Sequence, residues 1–185
     1  SMHPAKHVLS VKHGERGLRQ SDAVCHHVSN YPKLLEQFEM NNIKAVGVST
    51  RPRNAEGSYM PCFTVGYAVA KAVSQSTNVP LYSTSHQVGH ILAALYSADK
   101  LNLINDKFIA FHLSGGTTEA LLVTPDDGEI IKAEIIAAST DLKAGQAIDR
   151  TGVMLGLVFP CGKALDKLSY DSDTEFKIKP TLIGD

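Results

Sequence analysis

Two histidines four residues apart, His86 and His90, carry the clearest capacity for chemistry in this sequence. On an α-helix, positions i and i+4 lie one above the other, so the two imidazoles can converge on one metal ion. The alternative is a pair of solvated helix side chains. Two neutral imidazoles leave a divalent ion short of ligands, so a third group is required. His112 is the available third imidazole if its strand lies beside the histidine helix; otherwise it needs only a hydrogen-bond partner. Gly89 between the pair is costly in a helix interior and suggests close approach by another group. Zinc peptidases also use two histidines at this spacing, but their general base is the glutamate directly after the first. Here Gln87 occupies that place, and an amide cannot take a proton from water.

Three further segments bear polar groups suited to a ligand. Ser114-Gly115-Gly116-Thr117-Thr118 reads either as a plain hairpin turn or as an anion nest, in which successive N–H groups and hydroxyls receive a phosphate. It lacks the lysine and spacing of the P-loop, which excludes that class of NTPase. In Ser139 to Arg150, Asp141 can cap a helix. Asp149 either pairs with Arg150 or Lys143 or accepts ribose hydroxyls. Arg51-Pro52-Arg53-Asn54 reads as a solvated loop, with phosphate contact the alternative.

The elements that must position these residues alternate between helix and strand, the α/β pattern. A helix capped by Ser21-Asp22 runs through Phe38, with Pro32 a kink or break. Ile43 to Ser49 is a buried strand, Phe63 to Val73 a helix, Val79 to Tyr82 a strand and His86 to Tyr96 a helix. Three strands follow: Phe108 to Leu113, Glu119 to Thr124 and, after the turn Pro125-Asp126-Asp127-Gly128, Ile130 to Ala137. Helices at Leu142 to Leu155 and Gly162 to Tyr170 complete the readable pattern.

At 185 residues, 43% hydrophobic and 20% charged, the chain can bury a real core. Its 18 basic and 19 acidic residues leave no broad basic footprint for nucleic acid, so an RNA substrate would need positive surface from a partner subunit. Three distant cysteines without a Cys-x-x-Cys pair argue against a disulfide framework and fit a reducing cytoplasm. No apolar run reaches the length of a membrane span. The opening Ser1-Met2-His3-Pro4 reads as a cloning remnant, and the chain is expected to lack both natural ends.

Taken in order, Asn78-Val79-Pro80-Leu81, the block His86 to His90, His112 to Thr118, Ala144 to Thr151 and Leu155 to Gly162 resemble the TsaD family. These are tRNA threonylcarbamoyladenosine synthases, also known as the Kae and Gcp or glycoprotease family and once described as O-sialoglycoprotein endopeptidases. The resemblance covers most of residues 20 to 170. It implies an actin-like ATPase fold of the ribonuclease H-like kind: residues 1–7 a tag or disordered start, 8–104 part of the N-terminal lobe, and 105–185 the truncated start of the second. It further implies an iron or zinc ion at His86 and His90 with His112 as third ligand, since some relatives place a tyrosine near the metal at that position. ATP or threonylcarbamoyl-adenylate would meet His112, Leu113, Ser114, Gly115, Gly116, Asp149 and Gly162. The implied activity is a transferase reaction of tRNA modification in the cytoplasm, with tRNA as substrate and a paralogous subunit or second copy as partner, and no membrane. Two departures stand out: Arg51 to Gly57 replaces a glycine-rich stretch, and Val88 stands where bacterial members often carry glutamate. With the family's first phosphate loop and its C-terminal aspartate ligand absent, the chain alone is expected to be inactive. A non-catalytic paralogue acting as an interaction module is the competing expectation, and a zinc peptidase the weaker one.

Overall fold

The computed structural model describes residues 4–7, 9, 19–170, 172–174 and 177. Residues 1–3 of the expected tag lie outside them. The chain is mixed α/β: α1 Gln20–Leu35, β1 Val46–Arg51, α2 Cys62–Thr77, β2 Leu81–Ser85 and α3 His86–Ser97 lead through a 3-10 turn, Leu101–Asn105. Then come β3 Phe108–Leu113, β4 Thr118–Asp126, β5 Ile130–Ala138, α4 Ala144–Met154 and α5 Gly162–Ser169. Among the described residues, no helix is long and apolar enough to cross a membrane.

Strands β1 and β2 pair in parallel, from Val46 opposite Leu81 to Arg51 opposite Ser85, with α2 as the crossover between them. The second sheet has the order β3-β4-β5. Its connections, Ser114–Thr117 and Asp127–Glu129, are so short that they can join only antiparallel neighbours. Two compact units result, one from Ser1–Ala110 with Leu121–Ile135, the other from Phe111–Ala120 with Ile136–Asp185.

The core of the first unit follows from two periodicities. On α3, Val88, Ile91 and Leu95 recur at helical spacing and are buried; on β4 and β5, Leu121, Val123, Ile131 and Ala133 alternate inward. Leu92, Leu103, Ile104, Phe108 and Ala110 pack around them. Removing a side chain the size of Leu121 or Ile131 from water stabilises the fold by roughly 1.5–3 kcal/mol.

Several expected boundaries move. α1 starts after Arg19, whose side chain makes no cap, so Ser21 and Asp22 lie inside the first turn, and Pro32 sits within the helix without ending it. Proline removes only its own N–H, and its carbonyl still accepts from Glu36 N at 3.0 Å. Asp141 does not cap α4, which begins after Lys143.

The expected turn before β5 is held by Asp126, whose Oδ1 accepts from the backbone N–H of Gly128 at 3.0 Å and of Glu129 at 2.8 Å. Its Oδ2 pairs with Lys132 Nζ at 2.7 Å. Lys132, followed by these amides, holds the Asp126 carboxyl below its usual range, and Asp126 raises the lysine. A depressed carboxylate contributes stability above its unfolded pKa and loses it as pH falls through the folded value. We therefore predict that Asp126→Asn, which keeps the Oδ1 acceptor, lowers the thermal midpoint at neutral pH and flattens its decline on acidification. Unfolding curves followed by circular dichroism from pH 7 to pH 2 check this.

Candidate metal and nucleotide sites

Burial of Val88, Ile91 and Leu95 decides where the histidines go. At about 100° per residue, His86 and His90 each fall within roughly 20° of the point opposite Val88 on the helix wheel. Both are exposed, while Val88 is wholly buried. The Nε2 atoms stand 2.9 Å apart, with ring centroids at 4.3 Å and planes inclined by 70°. Two nitrogens bound to one ion at about 2.0–2.1 Å lie about 3 Å apart when cis at a right angle and nearer 3.3 Å in a tetrahedron. The pair thus fits two cis positions on one ion. Phe63, at the start of α2, meets the His86 ring edge-on at 5.8 Å between centroids and limits its rotation.

Ser85 caps α3, its hydroxyl accepting from Val88 N at 3.2 Å. Gln87 is buried, 3% exposed. A Cβ on Gly89 would meet Ser49 Oγ at 3.6 Å, an ordinary contact, so among the described residues none makes the expected close approach there. Among the described residues, no group of three or more His, Cys, Asp or Glu could hold a metal ion. His112 is on the part of β3 that belongs to the second unit.

The other predicted residues, Leu113, Ser114, Gly115, Gly116, Asp149 and Gly162, also belong to that second unit. Ser114–Thr117 forms a hairpin turn: Ser114 N donates to Thr117 O at 2.7 Å and Gly116 N to Ser114 Oγ at 3.2 Å. Two amides of the expected anion nest are thereby used within the turn. The turn sits on the start of α4, where Gly145 N donates to Ser114 O at 3.2 Å and Ala144 N to Thr118 Oγ1 at 2.8 Å. Only glycine fits at 145, because a Cβ there would lie 2.5 Å from Gly115 N.

One turn further along α4, Asp149 neither stands alone nor serves only a surface pair. Its Oδ1 accepts from Cys161 N at 2.8 Å, next to Gly162, which opens α5. Asp149 and Gly162 are thus brought together, beside an apolar cleft of about 520 Å³ lined by Gln146, Asp149, Arg150, Val153, Met154 and Phe159. Helices α4 and α5 close on Gly152, where a Cβ would overlap that of Cys161 at 2.2 Å. Burial, then the Asp149 carboxylate, push the Cys161 thiol up, which leaves it a poor nucleophile. All three cysteines are free.

The family model for TsaD, tRNA N6-adenosine threonylcarbamoyltransferase, matches residues 20–184. The chain belongs to this family. It is 30% identical over 161 residues to a tRNA N6-adenosine threonylcarbamoyltransferase of Christiangramia forsetii, covering 86% of this chain and 46% of that protein. A protein of the same name from Thermosipho africanus is 32% identical over 152 residues, 82% of this chain and 44% of its own length. A third, from Pediococcus pentosaceus, is 31% identical over 158 residues, with 82% and 42% covered. The chain therefore spans less than half the length of these curated relatives.

Sequence reasoning missed the groups that hold the sites. Phe63 stood out by no motif, the motifs containing Thr118 and Gly145 gave no sign that these two residues join the turn to α4, and the Arg51 to Asn54 loop is not simply solvated: Arg51 pairs with Glu129, and Asn54 Nδ2 donates to the same carboxylate at 2.9 Å. Gly145→Ala is predicted to destabilise the protein by about 1–3 kcal/mol through overpacking against the turn backbone. Gly115→Ala, where a Cβ meets nothing within 4 Å, should cost less. Chemical denaturation of both variants checks the order.

Proposed function

We propose that this chain holds a divalent metal at His86 and His90 and an adenine nucleotide around Ser114, Asp149 and Gly162, as part of a threonylcarbamoyl transfer to tRNA adenosine. The observation that carries this reading is the convergence of the two Nε2 atoms on the exposed face of α3. Membership of a family described as a tRNA N6-adenosine threonylcarbamoyltransferase supplies the reaction class. The reading brings with it the actin-like fold, with lobes at 8–104 and 105–185, a cytoplasmic setting, and a paralogous or identical partner.

A bound iron or zinc would act as a Lewis acid, polarising a carbonyl or phosphate oxygen of the threonylcarbamoyl-adenylate donor. The chain's own residues do the rest. His86 and His90 act as ligands through Nε2, not as proton shuttles. His112 is proposed as the third ligand on the family resemblance, and it borders the substrate set with Leu113, Ser114, Gly115 and Gly116. Asp149, fixed by the Cys161 amide, keeps one carboxylate oxygen for ribose hydroxyls beside Gly162. The apolar wall of Val153, Met154 and Phe159 suits the flat face of adenine. The exocyclic amine of the acceptor adenosine attacks the carbamoyl carbon, a new C–N bond forms, AMP leaves with the electrons of the cleaved C–O bond, and the amine's proton passes to solvent.

Gln87 tells against a peptidase, because its amide stands where that chemistry needs a glutamate and cannot take a proton from water. The interaction-module reading draws on the exposed apolar side chains Met154, Val158 and Phe159, 88%, 86% and 69% exposed. Metal analysis of the purified chain is expected to give about one ion per chain, lost in the double variant His86→Ala/His90→Ala. Full metal retention in that variant would overturn the metal site. Titration with ATP should produce a saturable response that Asp149→Ala weakens, and no response to ATP would favour the interaction module.

A further inference from the structure

Asn54 stands where three segments of the first unit meet. Its Oδ1 accepts from the Ser85 hydroxyl at 3.3 Å and from the Ala133 N–H on β5, also at 3.3 Å. Its Nδ2 donates to Glu129 Oε2 at 2.9 Å, and the other Glu129 oxygen pairs with Arg51. Pro52 O, between them in the loop, accepts from Gln87 N at 3.0 Å. The loop therefore holds both residues that flank His86, and it anchors them to the β4–β5 hairpin.

Ser85 gives this arrangement its direction. Its side chain is wholly buried and has one hydroxyl proton to donate. With that proton given to Asn54 Oδ1, the oxygen turns its lone pairs toward Val88 N, which it caps at 3.2 Å. Without the Asn54 acceptor the buried hydroxyl must find another partner, and the cap competes for the same rotor. His86 begins the turn that this cap fixes, while His90 lies one turn later on the same face.

We infer that Asn54 is a positioning residue for the His86–His90 pair, acting through the Ser85 cap and held in register by Glu129. The inference deepens the metal reading above and rests on it for one of its two readouts. Groups hydrogen-bonded directly to a ligand change metal affinity by about 10- to 100-fold when altered, and Asn54, which acts one step further out through Ser85, is expected at the lower end of that range.

The test exchanges the amide and the carboxylate. Asn54→Asp keeps an acceptor for Ser85 and Ala133 but sets a second carboxylate against Glu129. Asn54→Asp/Glu129→Gln restores one amide and one carboxylate with their roles reversed. Cobalt(II) titration of the whole chain, followed by d–d absorption, and long-range 1H–15N spectra of the imidazoles are measured on each form. Expected are about a tenfold or greater loss of cobalt affinity in Asn54→Asp, Nε2 shifts at His86 and His90 but not at His26 and His27, and recovery of both in the double variant. Unchanged cobalt affinity and imidazole resonances in Asn54→Asp would overturn the inference, and so would failure of the double variant to recover either. If the unaltered chain takes no cobalt, the metal reading fails by itself and the imidazole shifts alone decide the role of Asn54.

Discussion

The burial of one face of α3 against β4 and β5 is the constraint on which the rest of the first unit depends. Val88, Ile91 and Leu95 meet Leu121, Val123, Ile131 and Ala133, and this contact fixes the rotation of the helix about its own axis. Rotation then leaves no choice for His86 and His90, which must face outward together because they lie opposite Val88. A ligand pair on a helix is only as well defined as the packing on the reverse side. Here the reverse side is the centre of the core.

The second unit works by a different device, close approach of backbone. Gly145 lets the start of α4 seat on the Ser114–Thr117 turn, and Gly152 lets α4 meet Cys161 at the start of α5. Asp149 then joins α4 to α5 by a single charge-assisted hydrogen bond to the Cys161 amide. Residues expected from family resemblance to bind one nucleotide are thus gathered on one scaffold by three short contacts. The turn uses two of its amides, those of Ser114 and Gly116, internally.

The sequence made the helices and strands legible wherever apolar residues repeat with one clear period, as in α3 and β3 to β5. It misplaced β2 because Ser83, Thr84 and Ser85 look like loop residues, although their backbone continues the ladder opposite β1. Ile43 to Ala45 looked like strand, yet the ladder starts only at Val46, whose N–H donates to Pro80 O at 2.9 Å. The histidine pair was legible because its partners are four residues apart. Asn54 was not, since its partners stand 31, 75 and 79 residues away, and no local pattern announces a contact at such separations.

The account rests most heavily on His86 and His90 acting as joint ligands. Its most direct test is an anomalous difference map from crystals of the chain loaded with zinc, recorded on both sides of the zinc absorption edge. The account predicts one strong peak at about 2.0–2.1 Å from both Nε2 atoms, on the exposed face of α3. A map with no peak there, or with its zinc on other side chains, would contradict it.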